Sequence, residues 1–137
     1  MKVFLSYSFS GADSDLAQGL ECLFSSQNVP VVTGRRLSGG QLTPEVRQRI
    51  DGSDGVVALK TRRERVSDPS ENRWRSSPWI DYEYAHVRDN GKQAIALVED
   101  GIEIPGPFEN SERIPFDRAD MLEAFLGLDR WSGRRIR

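Results

Sequence analysis

Short apolar segments alternate with helical patterns along most of this chain, and this alternation constrains its fold more than any other feature. The clearest segment is 54–59 (DGVVAL), whose uninterrupted apolar run is typical of a strand covered on both faces. Further strands are predicted at 2–7, 29–32, 93–98 and 113–116. Strands separated by helices at this spacing predict an open α/β sheet, mostly parallel, with helices on both faces.

Helices are predicted between these strands and after the last of them. Apolar residues at helical spacing indicate a helix over 12–26, and a closing helix is expected over 119–126. Thr43 suits the N-cap of a shorter helix that begins at Pro44 and ends near residue 50. The charged, turn-rich segment 60–76 is expected to be an irregular excursion.

The segment SPWIDYE at 77–83 begins the remaining helix. Ser77 suits the N-cap and Pro78 the first helical position. The residues that recur at helical spacing predict a buried stripe formed by Ile80, Tyr84 and Val87.

One carboxylate and one indole flank this stripe. Glu83 lies at its edge, about 40° around the helix from Val87, and Trp79 lies one turn earlier on the same side. A carboxylate between a core stripe and an aromatic wall is partly desolvated, which suits a flat, electron-poor ring and a developing positive charge. Alone, the pattern is more often an anchoring tryptophan beside a surface glutamate.

Composition limits the classes of function. The chain has 137 residues, enough for one domain with a hydrophobic core, and 19 basic against 21 acidic residues give a net charge of −2. No overall field therefore favours nucleic acid or an anionic membrane. The single cysteine cannot form an internal disulfide, and no metal-ligand spacing is present. We expect a reduced, cytoplasmic protein without a membrane segment.

Ligands of open parallel sheets bind outside the carboxyl ends of the strands. The predicted ends lie at 7–8, 32–33, 59–60 and 98–99, and the helix that carries Glu83 begins at the same edge. Glu83 is therefore expected where this kind of fold places its chemistry.

Four segments in the same order resemble those of a bacterial Toll/interleukin-1 receptor (TIR) domain. Residues 4–8 (FLSYS) resemble the first-strand motif of the family, and 34–43 occupy the position of its BB loop. Residues 46–57 resemble its second helix, serine and third strand, and the pattern that ends at Glu83 matches its Ser-x-Trp-x-x-x-Glu motif. The resemblance implies a flavodoxin-like, five-stranded TIR fold over residues 1–128.

Two segments lie apart from that pattern. Residues 129–137 (DRWSGRRIR) are expected to form an exit or linker segment. The arginine-rich segment 60–76 departs from the family, and we interpret it as a solvated or interface loop rather than a nucleic-acid site.

The resemblance implies an enzyme, because family members that keep the glutamate resemble NAD⁺-cleaving proteins. It implies Glu83 as the catalytic residue of an NAD⁺ glycohydrolase or cyclase that yields nicotinamide and ADP-ribose or a cyclic isomer. NAD⁺ is then the substrate, and neither a cofactor nor a metal is required. Departure of neutral nicotinamide leaves an oxocarbenium-like ribose, which a nearby carboxylate stabilises.

Six further residues are candidates for substrate binding: Trp79, Ser8, Phe9, Ser10, Arg35 and Arg36. Trp79 suits a wall of the nicotinamide pocket or, equally, a core anchor. The serines and Phe9 follow the first strand and suit contact with ribose or nicotinamide, or are plain loop residues. The two arginines suit a pyrophosphate or a neighbouring subunit, or are solvated loop charges.

The resemblance also implies partners. These are a homo-oligomer formed by TIR–TIR contacts, a fused or associated sensor domain, and a role in bacterial antiviral defence. Two other functions stay open: a non-catalytic scaffold that signals by TIR–TIR contact, and a deoxyribosyltransferase-like enzyme. The latter class also uses a glutamate at the strand-end edge on a ribose, so substrate profiling separates it.

Overall fold

The structure is a computed structural model that describes residues 2–8, 11–33, 44–66, 70, 72–76, 78–102 and 112–135. The strands in these ranges are β1 (Val3–Ser6), β2 (Val31–Val32), β3 (Gly55–Lys60), β4 (Glu64–Arg65), β5 (Trp74–Arg75), β6 (Gln93–Glu99) and β7 (Arg113–Phe116). The helices are α1 (Gly11–Ser26), α2 (Pro44–Asp51), α3 (Pro78–Asp89) and α4 (Leu122–Arg135).

Five strands form one sheet in the order β2-β1-β3-β6-β7, and every neighbouring pair is parallel. The predicted open parallel sheet is therefore confirmed, and its order is that of a flavodoxin-like fold. The chain moves from β1 to one side of the sheet and then returns to build the other side from β3. The carboxyl ends of β1 and β3 consequently flank the point where the strand order reverses, which is where such sheets bind ligands.

The core lies on both faces of the sheet, because helices cover each face. One cluster joins the sheet to α1 and α4 and includes Leu5, Val57, Leu59, Leu20 and Trp131. On the other face, two clusters join the sheet to α2 and α3 and include Phe4, Val56, Ala58, Ile50 and Ile80. Alternate residues of one strand thus enter different clusters, as the period of an extended chain requires.

The end of the chain corrects one prediction. The closing helix runs from residue 122 to 135 instead of 119 to 126, so interpreting 129–135 as an exit segment is wrong. Ala124, Leu128 and Trp131 recur at helical spacing and are almost completely buried, with the Trp131 side chain 0% exposed. The apolar stripe of α4 therefore continues through Trp131, and this residue belongs to the core.

The segment after β3 is also more regular than expected. β4 and β5 pair in antiparallel register, with Glu64 opposite Arg75 and Arg65 opposite Trp74. The backbone N–H of Trp74 donates to the carbonyl oxygen of Gly101 at 2.8 Å, which attaches this hairpin to the turn after β6. We refer to residues 62–66 and 72–75 as the basic hairpin. Strands of two residues are too short to produce a recognisable alternation in the sequence.

Within the described ranges, no helix is both long enough and apolar enough to cross a membrane.

Candidate functional site

Helix α3 places Glu83 against the sheet. The predicted stripe of Ile80, Tyr84 and Val87 is confirmed, since all three side chains are buried. Glu83 lies beside that stripe and is only 7% exposed. The helix therefore carries a carboxyl group into the boundary between α3 and β1, where water reaches it poorly.

Burial changes the acidity of this group. Loss of water raises the pKa of Glu83 from 4.5 to about 7, because burial penalises the charged form. The hydroxyl group of Ser6, at the end of β1, opposes that rise, although its Oγ forms no regular hydrogen bond with any described residue. Near neutral pH, Glu83 therefore populates both its protonated and its ionised form.

A buried lysine fastens the first turn of α3 to the end of β3. Lys60 is the last residue of β3 and is 1% exposed, and its Nζ lies 3.1 Å from Oδ1 of Asp81. Burial lowers the pKa of Lys60, while the charge of Asp81 opposes that change. Asp81 stands two residues before Glu83, so this ion pair fixes the turn of helix from which the carboxyl group projects.

Asp13, near the start of α1, is a buried acceptor for two loops at the same edge. Its carboxylate accepts hydrogen bonds from the Ser8 hydroxyl, just after β1, and from Thr61 Oγ1, just after β3, the latter at 2.5 Å. The Asp13 side chain therefore connects the two strand ends that flank the reversal of strand order.

Arg118, which follows β7, completes this arrangement. Its guanidinium group is ion-paired with Asp13 and donates from Nε to Glu99 at 2.9 Å, while the backbone N–H of Arg62 donates to Glu99 at 2.8 Å. We refer to the five residues as the rim network: Ser8, Asp13, Thr61, Glu99 and Arg118. Burial alone would raise the pKa of Asp13, but hydrogen bonds from Arg118, Ser8 and Thr61 hold it below its ordinary value.

The sequence prediction named Ser8 as a substrate contact but did not identify Lys60 or the other four members of the rim network. Ser8, Thr61 and Glu99 each lie at or just beyond a predicted strand end, which is a signal that the edge rule could have used. The pairing of Asp13 with Arg118 joins residues 105 positions apart, and nothing in a single sequence indicates such a contact.

The structure places only part of the predicted site. Ser8 lies at the edge as expected, but its hydroxyl group binds Asp13. Trp79 belongs to the first turn of α3, one turn before Glu83, and its side chain lies outside the described part of the chain. The remaining predicted contacts lie outside the described residues: Phe9, Ser10, Arg35 and Arg36.

The single histidine of the chain, His86, pairs with a residue of α2. Its Nε2 lies 2.9 Å from Asp51 Oδ1. Among the residues that the structure describes, no three His, Cys, Asp or Glu side chains form a group that could hold a metal ion.

Comparison with known proteins bears on the fold. No protein-family model matches the chain, and no curated protein sequence matches it either. Several solved structures do match. One is the CMP N-glycosidase BcmB of Clostridium botulinum, with a TM-score of 0.60 and 15% sequence identity over 94% of this chain and 98% of that chain. The chain therefore has an open parallel α/β fold that is shared with a CMP N-glycosidase.

Proposed function

We propose that this chain is a nucleotide N-glycosidase that breaks the nicotinamide–ribose bond of NAD⁺, with Glu83 as its catalytic carboxylate. The observation that carries the proposal is the burial of Glu83 beside β1, with a pKa near 7, at the edge where flavodoxin-like sheets bind ligands. A solvent-exposed helix glutamate would have neither property.

The reaction needs one well-placed negative charge. The bonding electron pair leaves with the nicotinamide nitrogen, which becomes neutral, and the ribose C1 becomes cationic. A desolvated carboxylate stabilises that cation more strongly than one in water. Water then adds to C1 and releases a proton, which gives ADP-ribose; attack by a nitrogen of the adenine ring instead gives a cyclic product. The bound cationic ring favours ionisation of Glu83, since an opposite charge lowers the pKa of a carboxyl group.

A second candidate is removal of a neutral base from a nucleotide such as CMP. A neutral pyrimidine is a poor leaving group until it is protonated, and a carboxyl group with a pKa near 7 is a suitable acid at neutral pH. The fold shared with a CMP N-glycosidase favours including this reaction. This second candidate includes the deoxyribosyltransferase-like alternative, because a glutamate acts on a ribose in that class too.

The non-catalytic scaffold is less well supported. A scaffold needs an exposed surface for pairing, and it gains nothing from a buried carboxyl group whose ionised form is destabilised. From the TIR resemblance we also propose that catalysis depends on self-assembly of the chain. Initial rates are then expected to rise more steeply than in proportion to protein concentration.

The test uses the full chain, concentrated and with a crowding agent, and supplies NAD⁺ and CMP in separate incubations. Chromatography separates nicotinamide, ADP-ribose, cyclic products and cytosine. We expect nicotinamide release by the parent and by Glu123→Gln, a matched change at an exposed glutamate of α4, and none by Glu83→Gln. Cytosine release alone supports the second candidate. No product from either substrate, even after forced clustering of the chain, contradicts both.

A further inference from the structure

We infer that the basic hairpin is the site that binds the phosphate groups of the nucleotide substrate, with Arg62 and Arg65 as its principal contacts. This inference rests on the proposed function, because it assigns the part of the substrate that Glu83 does not touch. The sequence alone favoured a solvated or interface loop for this segment.

The hairpin stands at the edge of the sheet where ligands bind. It begins directly after β3 and ends just before α3, so it connects the elements that carry Lys60 and Glu83. Two contacts attach it to the end of β6: the Arg62 N–H donates to the Glu99 carboxylate, and the Trp74 N–H donates to Gly101. Its position relative to the strand ends is therefore set by these two hydrogen bonds.

The hairpin segment carries a net positive charge, in contrast to the chain as a whole. Residues 62–75 contain five arginines and three acidic residues, a net charge of +2 in a chain whose total is −2, so the rest of the chain carries −4. All five arginines are exposed residues, although the Arg62 side chain is partly covered and 33% exposed. A local basic patch beside the site attracts anionic phosphate groups where they must enter.

Trp74 organises two of these charges. The guanidinium carbons of Arg62 and Arg65 lie 5.7 and 4.6 Å from the centroid of its ring, so they are at most the sum of these distances apart, about 10 Å. Stacking uses the flat face of a guanidinium group, whereas its N–H donors lie in the plane and suit phosphate oxygens. The arrangement therefore presents two cations within about 10 Å of each other.

Other contacts hold this cluster in place before any ligand binds. The Trp74 indole N–H donates to Asn72 Oδ1 at 3.1 Å, and Arg62 Nε donates to the carbonyl oxygen of Asp100 at 2.7 Å. Arg62 also lies 3.8 Å from the Asp100 carboxylate, whose side chain is 75% exposed. This weak, solvated ion pair is one that a doubly charged phosphate group can displace.

The first experiment measures anion binding without catalysis. Inorganic pyrophosphate is titrated into the full chain by calorimetry, with the parent, Arg65→Gln, and Arg130→Gln as a control that makes the same charge change on α4. We expect Arg65→Gln to weaken binding about tenfold, as loss of a charge-assisted hydrogen bond does. Equal binding by the two variants, or no binding by the parent, overturns the inference.

The second experiment uses catalysis to locate the effect. NAD⁺ is compared with nicotinamide riboside, which has the same scissile bond and no phosphate. We expect Arg65→Gln to lower kcat/KM for NAD⁺ about tenfold and to leave kcat/KM for the riboside unchanged. Equal losses on both substrates contradict a phosphate contact.

The two experiments separate this inference from the proposed function. If the parent cleaves neither substrate but loses pyrophosphate binding in Arg65→Gln, the anion site stands and the reaction is wrong. If Glu83-dependent cleavage persists without any effect of Arg65→Gln, the reaction stands and the site is wrong. A short oligonucleotide is titrated in the same way. If Arg65→Gln loses oligonucleotide binding but binds pyrophosphate as the parent does, the hairpin is a nucleic-acid surface and the inference is overturned.

Discussion

The ammonium group of Lys60 forms a 3.1 Å ion pair with the carboxylate of Asp81, and this contact joins the end of β3 to the first turn of α3. The lysine is 1% exposed, whereas the Asp81 side chain is 31% exposed. Because Glu83 follows Asp81 by two residues in the same helix, the pair sets the position of the proposed catalytic carboxylate from the side of the sheet.

Removing Asp81 alone is expected to be worse than removing both partners. Asp81→Asn takes the carboxylate from a buried ammonium group and should lower the free energy of unfolding by about 2 kcal/mol. The double variant Lys60→Met/Asp81→Asn no longer buries that charge and should recover most of the loss. Urea unfolding of the parent, both single variants and the double variant measures the coupling. If the losses of the two single variants add up to that of the double variant, Lys60 and Asp81 are not coupled and the prediction is wrong.

Arg118 is expected to be the most sensitive residue of the rim network. Arg118→Met leaves two buried carboxylates, Asp13 and Glu99, without their cation and should lower the free energy of unfolding by about 3 kcal/mol or more. The deficit should be smaller at pH 4 than at pH 8, since protonation removes the stranded charges. Urea unfolding at both pH values is the measurement, with Arg130→Met as the control. If Arg118→Met loses the same free energy of unfolding at both pH values, Arg118 stabilises the fold by packing and not by its charge.

The sequence predicted the sheet, its strands and the helix that carries Glu83, because apolar runs and caps are local signals. It failed at the end of α4, where the polar residues around Trp131 concealed a stripe that continues the helix. It also missed the partners of Asp13 and Lys60. Such pairings depend on which strand ends meet at one edge, and that is determined by the assembled sheet.

Glu83 itself should reduce stability at high pH. Its pKa rises from 4.5 to about 7 in the folded chain, so the folded state holds the proton more tightly than the unfolded state does. The protonated form of Glu83 therefore gives the folded state its full stability below pH 4.5. As the pH rises through 7 this contribution is lost, and the free energy of unfolding falls by about 3 kcal/mol.

Replacing Glu83 by Gln removes this penalty. Thermal unfolding of Glu83→Gln should match the parent near pH 4.5 and show a higher Tm at pH 8, whereas Glu123→Gln, in the first turn of α4, should show no such advantage at pH 8. A Tm advantage for Glu83→Gln that does not grow with pH would mean that the carboxyl group is ionised normally.

Gly101 is expected to tolerate no side chain. It has a φ of +90°, and an added Cβ would lie 2.8 Å from Oδ1 and 2.9 Å from the carbonyl oxygen of Asn72. Gly91 has a φ of +68° with open space around it and provides the control. Gly91→Ala should cost about 1 kcal/mol, and Gly101→Ala more, because a steric clash adds to the strained backbone. Equal losses in urea unfolding would contradict the described contact between the basic hairpin and the turn after β6.

The pH dependence of nicotinamide release from NAD⁺ tests the role of Glu83 most directly. If the carboxylate form stabilises the ribosyl cation, kcat/KM should rise with pH through about 7, the pKa of Glu83 in the free protein, and then level off. Glu83→Gln should release almost no nicotinamide at any pH. A rate that falls with pH would instead indicate an acid acting on the leaving group, and equal release by the parent and Glu83→Gln would remove Glu83 from the mechanism.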